Sequence, residues 1–297
     1  MNILVIGSAN ADLVIHTDRM PHLGETIVGR DLAVNAGGKG LNQAVAIAKL
    51  GGDVSFLGAV GSDANGAMLL SALGEFGVNF VGTRTEDVPT GTAIITVVGG
   101  DNFIVLNAGA NDTLTPDVID ANAALIRDAD FIVLQLEIPM SAIVRACEIA
   151  RGSGTKVILN PAPSRDLPGT LYPMIDYLIP NEHEARDLTG ITLDSPDACI
   201  QAIRHLNERG ANCVIVTLGE QGCAYNVGEE IVFHPAVQSN AVDTTSAGDS
   251  FIGALVTKLA ESRALPDAIA YAGKVAAVTV SRPGAAKSIP TANEINE

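Results

Sequence analysis

The chain has 297 residues, of which 47% are hydrophobic and 18% are charged, a composition that suits a sizeable core and excludes a disordered or fibrous protein. The 34 acidic and 18 basic residues give a formal net charge of −16, which argues against binding to duplex nucleic acid or to anionic membranes. No apolar run is long enough to span a membrane, and the four cysteines show no metal-ligand spacing. We therefore expect a cytoplasmic protein with reduced, mostly buried thiols at Cys147, Cys199, Cys213 and Cys223.

The first strand is predicted at residues 3–6, an apolar run too short for a signal peptide and without a basic segment before it. Asn10 and Asp12 follow this strand, and ligand contacts in α/β sheets lie at the carboxyl ends of strands. Both side chains are therefore candidate ligand contacts, with an Asx turn as the alternative. The dinucleotide pattern GxGxxG and the P-loop pattern are both missing from the sequence, which argues against an oxidoreductase of the dinucleotide-binding type.

Residues 14–35 and 90–107 interrupt the strand and helix pattern. The first region contains Pro21, Gly24 and Gly29. In the second, two β-branched runs flank Gly99-Gly100-Asp101, which predicts a β-hairpin. We expect both regions to form a small β lid on a single α/β domain that spans residues 1–297, because no long linker or repeat divides the chain.

A glycine-rich turn precedes a predicted helix within residues 35–50. Gly37, Gly38 and Gly40 are followed by apolar residues at helical spacing, among them Leu41 and Ala44. By itself the turn is weak evidence for a ligand site, and a simple tight turn is the alternative.

Four continuous apolar runs, at residues 131–136, 156–160, 177–179 and 213–218, predict buried parallel strands. Helices with a proline in the first turn are expected after Thr115 and Ser195. This alternation predicts an α/β fold with a doubly wound, mostly parallel sheet flanked by helices.

The segment at residues 240–251, NAVDTTSAGDSF, carries the most chemistry. Small residues from Thr244 to Gly248 lead into a helix, whose free N–H groups would form an anion site. Asp249 in the first turn is unexpected in a pure phosphate cradle. It fits a general base beside a transferring phosphoryl group, and a helix-capping role remains the alternative.

Four segments together resemble the signatures of the ribokinase family of sugar kinases, the B-type phosphofructokinase group. They are AGGKGLNQA at 36–44, NPAP at 160–163, NEHE at 181–184 and DTTSAGDSF at 243–251. The resemblance extends from GSANAD at 7–12 to GAAKSIPT at 284–291. It implies a parallel-centred sheet with a β lid, a homodimer formed through that lid, ATP as co-substrate, Mg²⁺ and an activating K⁺.

The resemblance also implies roles for individual residues. Asp249 would be the catalytic base, and the backbone N–H groups of Ser246, Ala247 and Gly248 would form the anion hole. The implied sugar contacts, besides Asp249, are Asn10, Asp12, Gly38, Lys39, Asn42 and Glu137.

Further positions are implied for the nucleotide and the cations. The implied nucleotide contacts are Asn181, Thr217, Gly219, Gly222, Gly248 and Gly273. Glu184 would organise Mg²⁺ through water, although NxxE by itself is only a helix-start pattern. The implied K⁺ positions are Asp243, Thr245, Thr279, Arg282, Gly284 and Ser288.

The resemblance implies phosphorylation of the terminal hydroxyl of a free sugar, with D-ribose as the leading acceptor. Alternatives are 2-deoxyribose, another aldose or ketose, or a nucleoside. A sugar sensor without turnover is a different class of function. Asp249 argues against it, because a protein that only binds sugar needs no base at that position.

Overall fold

The computed structural model of the chain describes residues 2–99 and 101–295. The strands in chain order are β1 (Asn2–Ile6), β2 (Asn10–His16), β3 (Arg30–Gly37), β4 (Asp53–Leu57), β5 (Ala59–Gly61), β6 (Asn79–Phe80), β7 (Thr83–Thr85), β8 (Gly91–Val98), β9 (Asp101–Asn107), β10 (Phe131–Leu134), β11 (Lys156–Leu159), β12 (Tyr177–Leu178), β13 (Cys213–Thr217), β14 (Cys223–Val227) and β15 (Glu230–His234). The α-helices are α1 (Lys39–Lys49), α2 (Ala64–Glu75), α3 (Pro116–Ala121), α4 (Ala123–Asp128), α5 (Met140–Ser153), α6 (Glu182–Thr189), α7 (Pro196–Glu208), α8 (Ala247–Ala260) and α9 (Leu265–Val280). Short 3-10 helices lie at Gly109–Thr113, Tyr172–Met174, Gly219–Gln221 and Ala292–Glu294.

The central sheet has the strand order β15-β14-β13-β12-β11-β10-β1-β4-β6. All pairs from β13 to β6 are parallel, and β14 and β15 add an antiparallel edge. Helices lie between successive parallel strands, such as α5 between β10 and β11. The predicted fold class, a mostly parallel sheet flanked by helices, is confirmed.

Both faces of the central sheet are covered by apolar cores. Leu4 and Ile6 of β1 pack with residues of α3 to α7, whereas Ile3 and Val5 pack with α1, α2, α8 and α9. Successive strand residues point to opposite faces, so a strand covered on both sides must be apolar throughout. This is why the buried strands are continuous apolar runs in the sequence.

Four predicted strands end one or two residues early. The structure ends β10 at Leu134, β11 at Leu159, β12 at Leu178 and β13 at Thr217, so that Gln135, Asn160 and the residues after them leave the sheet. The carboxyl ends of parallel strands meet at one edge, and the polar residues that follow them therefore gather there.

A second sheet has the order β3-β2-β8-β9, with β2 and β8 parallel and the other pairs antiparallel. The predicted hairpin is confirmed by the pairing of β8 with β9; Gly100 of its turn lies outside the described residues. Residues 14–35 were expected to begin this substructure, but β2 already begins at Asn10 and β3 extends to Gly37. Asn10 and Asp12 therefore lie in a strand, and the Asx-turn alternative is wrong.

All four cysteines are free and buried, as expected, and burial raises the pKa of Cys147 to about 12. Helices that are both long and apolar enough to cross a membrane are missing from the described residues.

Candidate active site

Asp249 lies in the first turn of α8. This helix begins directly after Ser246, a left-handed residue whose φ is 61°. Its side chain is buried and accepts hydrogen bonds from Asn42 Nδ2 at 3.2 Å and from Gln43 Nε2 at 3.0 Å. Both donors belong to α1, so the carboxylate is held against a neighbouring helix. This geometry does not fit the alternative in which Asp249 only caps its own helix.

The beginning of α8 forms a backbone surface open to a ligand. The first N–H groups of a helix have no acceptor within the helix, and a Cβ built on Gly248 would meet only open space. Ala247 N–H donates to Thr244 O at 3.2 Å, a long bond within the turn. Within the described part of the chain, Ser246 Oγ is buried without a hydrogen-bond partner, so it is available to a ligand.

A cavity of about 190 Å³ joins this helix start to the sheet edge. Its polar lining includes Asp249 and Lys39 from the two helices and Asn160, Asn181 and Glu184 from the edge of the sheet. Residues separated by more than 200 positions in the sequence therefore share one space. The cavity has room for a small polar group and offers a carboxylate base, a cation and free backbone N–H groups.

Glu137 organises the neighbouring polar cluster after β10. Its Oε2 accepts hydrogen bonds from Ser8 Oγ at 2.5 Å, from Lys39 N at 3.1 Å and from Asn10 Nδ2 at 3.5 Å. The carboxylate thus links the residues after β1 to the glycine-rich turn before α1. Asn42 Oδ1 is a buried acceptor that has no hydrogen-bond partner among the described residues, and it could accept from a ligand hydroxyl.

Asp12 in β2 lies against Gly37, where a Cβ would collide with its carboxylate. Burial, with the charges of Glu137 and Asp249, raises the pKa of Asp12 to about 7. A carboxyl group in this state exchanges its proton near neutral pH. The charges of Glu137 and Asp249 thus disfavour the ionised form of Asp12.

Lys39 begins α1 and lines the cavity. Burial alone would lower the pKa of its ammonium group, but the carboxylates of Asp249, Glu137 and Glu184 outweigh burial and raise this pKa. Lys39 therefore stays cationic. Lys39 thus links the polar cluster around Glu137, to which its backbone N–H donates, with the cavity that it lines.

Asn181 and Glu184 form a capping box at the start of α6. Asn181 Oδ1 accepts from Glu184 N at 2.9 Å, and Glu184 Oε2 accepts from Asn181 N at 2.8 Å. Burial raises the pKa of Glu184, although the Asn181 N–H and the Lys39 charge act against this. The NxxE motif is thus a helix start, as its local pattern indicated, and it also presents a buried carboxylate to the cavity.

The other expected nucleotide positions divide into two groups. Thr217 pairs with Asn181 in an isolated bridge and lines the cavity. Gly219, Gly222 and Gly273 are not part of its lining. Gly222 has a φ of 98°, and a Cβ there would collide with His234 O, so its glycine is required by the turn itself.

Most of the expected K⁺ positions lie in two loops that Asp243 joins, and Thr279 lies in the last turn of α9. Its carboxylate accepts from Thr245 N and from Gly284 N, each at 2.9 Å. The hydroxyl groups of Thr279 and Ser288 instead donate to backbone carbonyls, at 2.9 Å and 2.7 Å. Arg282 pairs with Glu294 at 2.8 Å. Among these expected K⁺ positions, Asp243 is thus the residue whose side chain contacts both loops.

A family model described as "pfkB family carbohydrate kinase" matches residues 1–292. The chain belongs to the pfkB family of carbohydrate kinases. Its site accordingly belongs to an enzyme that transfers a phosphoryl group to a carbohydrate.

Relatives of this pfkB kinase extend over nearly the whole chain. The ribokinase of Staphylococcus aureus (strain COL) is 39% identical over 303 residues, covering 99% of this chain and 98% of the relative. The deoxyribokinase of Salmonella typhi is 38% identical, covering 100% and 98%. The solved structure of Arabidopsis thaliana ribokinase complexed with ribose and ATP has a TM-score of 0.93 and 33% identity, covering 98% of this chain and 96% of that one.

Sequence reasoning missed four buried polar residues of this pfkB site. Gln43 binds Asp249, Gln135 binds Gln43, Ser8 binds Glu137, and Asn111 donates to Asn10 Oδ1 at 2.8 Å. Gln43 interrupts an apolar helix face, a pattern that could have drawn attention to it. Asn111 lies in the 3-10 helix after β9, and nothing in its local sequence indicated a contact about 100 positions away.

Proposed function

We propose that this chain is an ATP-dependent kinase that phosphorylates the terminal hydroxyl of a free sugar, D-ribose at O5 first among them. The observation that carries the proposal is the buried Asp249 carboxylate, which α1 holds beside the cavity and the open start of α8. The similarity to ribokinases over almost the whole chain supports ribose as the acceptor.

In the proposed reaction Asp249 accepts the proton of the attacking sugar hydroxyl. A bond forms between that oxygen and the γ-phosphorus of ATP, while the bond from this phosphorus to the β,γ-bridging oxygen breaks and ADP leaves. General-base assistance removes the proton as the oxygen becomes bonded to phosphorus. The proton remains on the carboxyl group until the products depart.

The developing negative charge is balanced by groups around the cavity. The N–H groups of Ser246, Ala247 and Gly248 at the positive end of the α8 dipole are proposed to bind the transferring phosphoryl oxygens. Lys39 adds a full positive charge on the same cavity. Local donors of this kind explain how a chain with a net charge of −16 can bind a polyanion.

The proposed cation sites use oxygen ligands. Glu184 fits Mg²⁺ because it is a buried carboxylate on the cavity, and Mg²⁺ keeps several waters besides one or two carboxylates and substrate phosphates. Bound there with ATP, Mg²⁺ would neutralise phosphate charge. Asp243 fits K⁺ because it joins the loop before α8 to the loop around Gly284, so that a cation there would order the anion hole.

Sugar recognition is assigned to the polar cluster beside Asp249. We propose that Asn10, Asp12, Asn42 and Glu137, with the turn at Gly38 and Lys39, bind the hydroxyl groups that do not react. The 38% identity to a deoxyribokinase makes 2-deoxyribose the second candidate acceptor. The two sugars differ by one hydroxyl, and a buried group left without that hydroxyl would discriminate between them.

We further propose that residues 14–35 and 90–107 act as a lid on a single domain, and that two copies associate through it. Exposed apolar side chains on this sheet, including Leu32, Ile94 and Ile104, support an interface there. The nucleotide is assigned to Asn181, Thr217, Gly219, Gly222, Gly248 and Gly273. The four unpaired thiols support a cytoplasmic location.

The substitution Asp249→Asn tests this assignment. The variant keeps the shape of the side chain but accepts a proton poorly, so sugar and ATP binding should persist while turnover falls roughly 10²–10⁴-fold. Calorimetric titration gives the binding constants, and coupled ADP release gives turnover. Near-normal turnover would mean that the base is another group.

A further inference from the structure

Behind Asp249 lies a row of buried amide side chains that the proposed reaction does not use. Gln43 and Gln135 are both fully buried, and Asn160 is 8% exposed. Gln135 Nε2 donates to Gln43 Oε1 at 2.6 Å, and Gln43 Nε2 donates to Asp249 Oδ1 at 3.0 Å and to Asn160 Oδ1 at 3.3 Å. These buried amides can fix the position of the Asp249 carboxylate, which Gln43 contacts directly.

The hydrogen bonds leave the Gln43 amide a single orientation. Its oxygen is occupied by the Gln135 N–H, so its NH₂ group must face Asp249. Asn160 is fixed in the same sense, because its Nδ2 donates to Ile179 O at 3.0 Å and its oxygen faces Gln43. The two N–H bonds of Gln43 therefore have one acceptor each.

One half of the Gln135 amide is left unpaired in this arrangement, which is unfavourable for stability. Among the described residues its Oε1 is buried without a hydrogen-bond partner, and it lies against Gly7, where a Cβ would collide with it. A buried acceptor without a donor is destabilising. That an unpaired atom persists here points to a role for the other half of the same amide, the Nε2 that orients Gln43.

We infer that Gln43, oriented by Gln135, is a positioning residue that holds Asp249 Oδ1 and so directs the other carboxylate oxygen towards the reacting hydroxyl. The inference rests on the proposed role of Asp249 as general base. Small displacements of a reacting group can cost up to about 10²-fold in rate. Gln43 would therefore act on the chemical step more than on sugar binding.

The test uses Gln43→Met and Gln135→Met in the full-length protein, with Thr257→Val as a matched control. Thr257 is a buried polar residue of α8 whose hydroxyl donates to Gly253 O, within its own helix. Gln43→Met should lower kcat about 10- to 100-fold while the KM for sugar changes less than about threefold. Gln135→Met should lower kcat about three- to tenfold, and Thr257→Val should leave kcat within about twofold of the wild type.

The double variant separates positioning from general damage to the core. If Gln135 acts only through Gln43, then Gln43→Met/Gln135→Met has the kcat of Gln43→Met alone. Multiplying effects, or wild-type kcat in Gln43→Met, would overturn the inference. Should Gln43→Met fail to fold, wild-type kcat in Gln135→Met overturns it instead. An active Asp249→Asn variant would refute the proposed base, whereas an inactive one beside a normal Gln43→Met refutes only this inference.

Discussion

Three carboxylates, those of Asp12, Glu137 and Asp249, lie near the carboxyl edge of the sheet, and the charges of Asp249 and Glu137 act on the ammonium group of Lys39. The three carboxylates have different surroundings. Asp249 accepts from two amide side chains, and Glu137 accepts from a hydroxyl and a backbone N–H, whereas Asp12 lies near the two other acids. Burial and the neighbouring charges raise the pKa of Asp12. Asp12, whose pKa lies near 7, is the group whose charge changes under ordinary assay conditions.

The raised pKa of Asp12 predicts a pH dependence of stability. Its pKa rises from 3.8 to about 7 on folding, so between these values the folded protein keeps a proton that the unfolded chain has released. This contribution to the free energy of unfolding therefore decreases as pH rises through that window and is constant above it. In Asp12→Asn the contribution is absent, and the stability of the variant relative to wild type should increase from about pH 5 to about pH 8.

Urea unfolding of the ligand-free proteins at several pH values measures this difference. The exposed Asp87 supplies the control Asp87→Asn, whose difference from wild type should stay constant with pH. A constant difference for Asp12→Asn as well would show that Asp12 ionises in the folded protein much as it does in the unfolded chain.

At the residue scale, the sequence predicted residues that line the cavity but not the buried amide side chains that contact them. Asp249, Lys39 and Glu184 stand in recognisable motifs, and the structure brings all three to one cavity. Gln43 and Asn111 could not be assigned in the same way. Helical spacing tells which face of α1 is buried but not which distant side chain a buried amide meets.

At the scale of elements, the site depends on how helices begin. α8 begins after a left-handed residue and shows no side-chain cap among the described residues, whereas α6 begins with a complete capping box. The box places Glu184 at the third helical position with its side chain turned back to the sheet edge. The NxxE pattern is common at helix starts. Here its carboxylate is buried, because α6 begins shortly after β12, which ends at the cavity.

Glu184→Gln separates the structural and cation roles of this carboxylate. Glutamine also completes a capping box, so the thermal midpoint should change little. The loss of charge should raise the Mg²⁺ concentration for half-maximal activity about tenfold, since groups that organise a metal through water affect its affinity on this scale. Mg²⁺ titration of the ADP-release rate measures the effect.

Glu182, in the same first turn but outside the cavity lining, provides the matched control. Glu182→Gln should keep the wild-type Mg²⁺ requirement. Equal Mg²⁺ requirements in both variants would remove Glu184 from the cation site and leave it as a helix cap.

Element prediction succeeded where burial dictates composition. Five of the seven parallel strands of the central sheet and the β8–β9 hairpin were visible as apolar or β-branched runs, whereas β4 and β6 were not predicted. The start of β2 was not, because Asn10 and Asp12 are polar residues that point to the site, and in the sequence they look like a turn. Function thus obscured the strand pattern in the segment where a ligand is expected to bind.

At the scale of the whole molecule, the strand order brings separated segments to one edge. β1, β10, β11 and β12 are neighbours in the sheet, so the residues after each of them lie together. The small sheet continues directly from β1 through β2, and Asn111, which follows β9, donates a hydrogen bond to Asn10. A lid connected in this way would move with the sugar contacts, and closure over the sugar would exclude water from the transfer.

The proposed reaction of this pfkB kinase is the transfer of a phosphoryl group from ATP to a free pentose. The most direct measurement is ADP release from Mg·ATP in the presence of K⁺, with D-ribose, 2-deoxy-D-ribose, fructose, fructose 6-phosphate, adenosine or no sugar. We predict strong turnover with D-ribose, weaker turnover with the other acceptors, and little ATP hydrolysis without sugar. Absence of turnover with every acceptor in a folded protein, or ADP release independent of sugar, would contradict the account.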